Sequence, residues 1–169
     1  MNGNKKKVWG FLLTIFFVAI LASNASAASK ATKVVKNAKS IYKDVNRKIK
    51  KKKMKKIKNG DCTDYYEKNT IRMTRCLSTS DLVSPNNCKV EFYYDKNHHP
   101  IFVFAWKKVN GKVKEYRAYF GTNRKCYRYI ASDGIVYTFK NGKSRDKMPS
   151  MAYQMFTKAQ MNLHYLNIY

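Results

Sequence analysis

Apolar residues return every three or four positions along the first third of the chain: Val34, Ala38, Ile41, Val45 and Ile49. That step puts them on one face of a helix. The pattern predicts a basic amphipathic helix over roughly residues 30–57, filling a segment 28–60 and stopping at Asn59-Gly60. From Thr70 the period changes to two, with Ile71, Met73 and Arg75 alternating with Arg72, Thr74 and Cys76. This predicts a strand over 70–77. After a polar loop containing Ser84-Pro85-Asn86-Asn87, five further runs at 88–95, 101–108, 112–120, 126–131 and 135–140 read as strands. Asn110-Gly111 and Asp133-Gly134 lie between such runs and Asn141-Gly142 closes the last; these pairs favour tight hairpins because they tolerate positive φ. Short connections make consecutive strands antiparallel neighbours. From Pro149 to Tyr169 the helical step returns at Ala152, Phe156, Ala159, Leu163 and Leu166. The expected fold is therefore α+β: an antiparallel β-meander of about six strands over 61–169, with a basic N-terminal helix and a C-terminal helix packed on the sheet.

The pattern before residue 28 is different. Lys5, Lys6 and Lys7 precede an uncharged apolar run from Val8 to Ala22, and Ala25-Ser26-Ala27 follows it. A positive start, a short apolar stretch and a small-x-small site predict a cleavable signal peptide over 1–27. The run has 15 residues, against about 20 for a membrane-crossing helix. The expected location is secreted, extracellular or cell-surface associated.

Charge then narrows the partners. The chain carries +25, which falls to +22 without the three leader lysines. Residues 28–60 hold 14 Lys or Arg against the single acid Asp44, so the polybasic segment has more than half of that charge. Eight lysines crowd between Lys48 and Lys58. A field of this kind attracts polyanions. Lys51, Lys52, Lys53, Lys55 and Lys56 are the candidate anion-binding residues, and the expected partner is an anionic cell-surface polymer or lipid headgroups, with nucleic acid as a further possibility. Retention of a non-catalytic exported domain at such a surface is the function this predicts.

Four cysteines in an exported chain, Cys62, Cys76, Cys88 and Cys126, permit two disulfides. In a six-stranded meander Cys76 and Cys88 bracket one lower connection, while Cys62 and the strand starting at Cys126 lie at the top. The expected pairs are Cys76 with Cys88 and Cys62 with Cys126. Their spacing lacks the C-x2-C pairs of structural zinc sites, and no metal or cofactor is expected.

Thirteen of the 24 aromatic residues lie between Cys88 and Lys140. Such crowding suits either a stacking platform for bases or sugars or the interior of a pleated sheet, and a small sheet needs large side chains to cover it. His98 and His99 fall in an expected hairpin turn, where a solvated polar loop accounts for them. No motif of nucleophilic, metal-assisted or phosphate-loop catalysis is present. The enzymatic alternative is a small metal-independent ribonuclease with Glu115 and His164 as acid and base and Arg117 and Arg128 at the phosphate. At 91–131 the tracts EFYYD, IFVF, EYRAYF and CYRYI resemble those of small exported bacterial β-meander proteins of unassigned function. The resemblance implies export and a meander, and no activity.

Overall fold

The computed structural model describes residues 30–77 and 88–166. The expected leader, the loop at 84–87 and the last three residues of the expected C-terminal helix lie outside the described residues. Helix α1 spans residues 30–50. Eight strands follow: β1 (Lys55–Asn59), β2 (Cys62–Glu67), β3 (Thr70–Cys76), β4 (Lys89–Tyr94), β5 (Pro100–Val109), β6 (Lys112–Phe120), β7 (Cys126–Ile130) and β8 (Val136–Lys143). Helix α2 (Ser150–Tyr165) closes the described chain. The strands form one sheet in sequence order, every neighbouring pair antiparallel.

The α+β meander with two helices is as expected, but it has eight strands rather than about six. The difference lies in the polybasic segment. Helix α1 ends before the expected Asn59-Gly60 stop, because the amide of Lys52 donates to the carbonyl of Ile49 (2.9 Å) and that of Lys53 to Lys48 (2.9 Å). This pair of bonds is a Schellman closure, with Lys52 at φ 53° in the position glycine usually takes. The chain then turns back as β1. Asn59 and Cys62 face each other across a two-residue loop whose Gly60 has φ 54°, so Asn59-Gly60 makes a hairpin instead of a helix end. At the other end, Asn141-Gly142 lies inside β8. Gly142 has φ 68°, and a Cβ there would stand 2.7 Å from the Lys125 Cβ and 3.0 Å from the Tyr127 ring.

Each face of the sheet is covered by one helix. Under α2 lie Ile71, Val90, Phe92, Val103, Ala118 and Phe120, with Phe120 against Phe156 at 5.0 Å between ring centres. A buried polar thread crosses this core: the Asn162 amide donates to Thr74 Oγ1 (2.9 Å), whose hydroxyl donates to Asp64 (2.6 Å). Tyr94 reaches the Ala159 carbonyl at 3.2 Å. Under α1 lie Tyr65, Met73, Tyr93, Phe102 and Tyr119, packed against Val35, Ala38 and Val45. A bulge at Arg72 on β3, opposite the Tyr65–Tyr66 step of β2, lets Ile71 and Met73, two residues apart, face opposite helices. Most of the crowded aromatics are thereby core: Phe92, Tyr93, Tyr94, Phe120 and Tyr127 are fully buried.

The expected cysteine pairing is overturned. Cys62 and Cys76 are cross-strand partners on β2 and β3 and form a disulfide, with Cα atoms 4.1 Å apart. Cys88 and Cys126 are buried thiols. The cause is β2, which carries Cys62 to the same end of the sheet as Cys76; without that strand Cys62 would stand at the opposite end.

Candidate anion-binding surface

Two cationic regions include residues of α1 or of the turn that follows it. The first is the turn after α1 together with β1. Lys51, Lys52 and Lys53 are exposed in the turn, and Lys55 and Lys56 are exposed on β1. Strand geometry sends Lys55 and Lys56 to opposite faces of the sheet edge. None of the five makes an ion pair among the described residues. The structure thus brings the predicted lysines together along one edge, as a turn and a strand instead of a helix face.

Lys48, the first of the crowded lysines, has a different role. It bonds Asp44 (2.6 Å) and the carboxylate of Glu67, which also binds the buried Arg72. Hydrogen bonds to Asp44 and Glu67 raise the Lys48 ammonium pKa, and the same bonds lower both carboxylates below their ordinary range. This chain of charges ties the end of α1 to β2 and β3.

The second region is a groove between α1 and the β5–β7 part of the sheet. It has a volume of about 390 Å³ where Tyr42, Phe102, Phe104 and Tyr119 meet Lys39, Lys43 and Arg117. It continues past Lys39 and Lys43 into an open cleft of about 560 Å³ reaching Lys36 and Arg128. Lys36, Lys39 and Lys43 follow one another at helical neighbour spacing, so their ammonium groups edge the groove. The floor comes from strand alternation: Phe102 faces Tyr119 and Phe104 faces Arg117 across β5 and β6, and Arg128 faces Tyr119 across β6 and β7. Tyr42 stands edge-on to Phe102 at 5.8 Å and is 41% exposed. The Arg117 guanidinium lies 5.4 Å over the Phe104 ring and pairs with Glu115. Arg128 Nε is buried without a hydrogen-bond partner among the described residues. Burial raises the Tyr119 phenol pKa, and the nearby Arg117 and Arg128 pull it the other way.

The four residues of the ribonuclease alternative divide between the two faces. Glu115, Arg117 and Arg128 are on the α1 side, whereas His164 is exposed on α2, which covers the other side. His98 and His99 sit in the β4–β5 turn, where Asp95 accepts from the His99 amide (2.9 Å) and contacts its ring at 3.0 Å. No group of three potential metal ligands occurs among the described residues. The sequence pointed to Arg117 and Arg128 but missed Lys36, Lys39, Lys43 and Tyr42. Their spacing along α1 was visible; that this side of the helix would border an aromatic floor was not.

Comparison with known protein families, curated proteins and solved structures finds no match to this chain.

Proposed function

We propose that this chain is an exported, non-catalytic domain held at an anionic surface, a cell-wall polymer or lipid headgroups, by Lys51, Lys52, Lys53, Lys55 and Lys56. The observation that carries the reading is that these five ammonium groups are exposed along one edge with no carboxylate partner among the described residues, while Lys48 beside them is fully engaged. Charges left uncompensated on an exposed edge attract a polyanion without first breaking internal pairs. Each lysine near an anionic surface contributes about 1 kcal/mol, and the effect weakens beyond a Debye length of about 8 Å at physiological salt. The apolar stripe of α1 is spent on the sheet, so attraction is electrostatic rather than by insertion of that helix.

The position of β1 favours a second reading of the same lysines. β1 is an edge strand, and lysine on an edge opposes pairing with another copy. One variant separates the two. Changing all five lysines to Gln should lower retention on cell-wall preparations and anionic vesicles by at least about tenfold and flatten its salt dependence, because fewer counterions are displaced. Unchanged binding with new self-association in sedimentation would overturn retention and leave the lysines as an edge guard.

A further inference from the structure

The groove along α1 is a separate cationic site, and its walls differ from the polybasic edge. The edge offers ammonium groups alone; the groove sets them beside aromatic rings. Neither part of it is lined by a carboxylate. Lys36, Lys39, Lys43 and Arg128 make no ion pair among the described residues, and Arg128 Nε is a buried donor with nothing to bind. An unsatisfied buried donor is costly, and charges against low-dielectric walls attract an anion more strongly than exposed ones do. Tyr42, on α1 beside Lys39 and Lys43, and Phe104, on the sheet floor, are left partly uncovered at the point where Phe102 and Tyr119 are already buried by α1. The volume is in the range that small-ligand sites occupy.

Cations interleaved with an exposed ring along one groove are the combination that holds a phosphate and stacks a flat ring attached to it. We infer that the groove bordered by Lys36, Lys39, Lys43, Tyr42, Phe104 and Arg128 binds a phosphate ester carrying a planar ring, as a nucleotide or a single-stranded oligonucleotide presents. Lys39 and Lys43 lie at the junction of the two parts and take the phosphate, with Arg128 beneath it. Tyr42 takes the ring, whose edge meets Phe104 where Arg117 and Trp106 already pack on that side chain. Simple phosphate esters without a ring use only half of this surface. The inference does not rest on surface retention, since the two sites share no residue.

The test uses the full chain as its host processes it, with four probes: adenosine 5′-monophosphate, a single-stranded hexauridylate, glycerol 3-phosphate and inorganic phosphate. Titration calorimetry should show the two ring-bearing probes binding at least about tenfold more tightly than the others, which is the contribution expected of one stacked ring. A hexauridylate affinity well above that of the mononucleotide identifies a strand as the occupant; equal affinities identify a single nucleotide. Lys39→Gln with Lys43→Gln, both exposed and outside the core, should weaken all four probes by about tenfold at low salt. Tyr42→Ala should bring the ring-bearing probes down toward glycerol 3-phosphate and leave the latter unchanged. The five-Gln edge variant should bind the mononucleotide like wild type. Ring-bearing probes no tighter than glycerol 3-phosphate, binding lost only in the edge variant, or no binding at all would each overturn the inference.

Discussion

At the scale of single residues, the structure turns on polar groups placed inside the sheet. Asp64 is buried and accepts hydrogen bonds from the Thr74 hydroxyl and the Asn59 amide. Burial outweighs these bonds, and its pKa is raised. A carboxyl whose folded pKa lies above its unfolded value near 3.8 favours the fold most below that value; the contribution is lost as pH rises through the folded pKa. Asp64→Asn keeps an oxygen for Thr74 and removes the buried charge. The variant should therefore be more stable than wild type at pH 7, by about 1 kcal/mol, with the gain gone near pH 3. Urea unfolding at the two pH values measures this, and a variant less stable at pH 7 would show that the charge is needed.

Among the elements, the end of α1 sets where the chain departs from its helical pattern. Lys52 closes the helix in a left-handed conformation that costs a side chain about 1–2 kcal/mol relative to glycine. Lys52→Gly should raise stability by about 0.5–1 kcal/mol, the part of that cost remaining after the extra unfolded-state freedom of glycine. Thermal unfolding reads the change; a lower Tm would mean that the Lys52 side chain supplies stabilisation absent from its described contacts. Strands β3 to β8 were legible because their apolar residues and turn pairs are local signals. Strand β1 was not, since KKIKN has almost no alternation to read and lysine fits either element. Strand β2 was hidden by an acid pointing inward at Asp64 and by charged and polar residues at its ends.

For the molecule as a whole, strand count fixes which cysteines meet. Adding two strands before β3 makes Cys62 and Cys76 neighbours and leaves Cys88 and Cys126 within the layer covered by α2. Burial raises both thiols, and that of Cys126 is pushed up to about 12. Thiolate is the reactive form, so both should resist alkylation in native protein at pH 8 and react together on global unfolding. Non-reducing peptide mapping should return a Cys62–Cys76 crosslink and two alkylated cysteines per unfolded chain. A Cys76–Cys88 or Cys62–Cys126 crosslink would restore the six-strand register. The native disulfide closes a loop of about 15 residues, which the chain-entropy estimate values at about 3 kcal/mol.

What the sequence determined by itself is the set of signals that need no distant partner. The apolar face of α1, the runs that become strands β3 to β8, the Asn110-Gly111 hairpin and the face of α2 all depend on residues within a few positions of one another, although the bulge at Arg72 breaks the alternation of β3 itself. The helix stop at Lys52, the disulfide partners and the groove were decided only by tertiary structure. Each depends on register across the sheet: the added β1–β2 hairpin moves Cys62 to the end of the sheet that holds Cys76, and packing of α1 on the sheet brings Lys36, Lys39 and Lys43 beside Phe104 and Arg128. Periodicity along a chain specifies which residues share a face, but not which face of another element will lie opposite it.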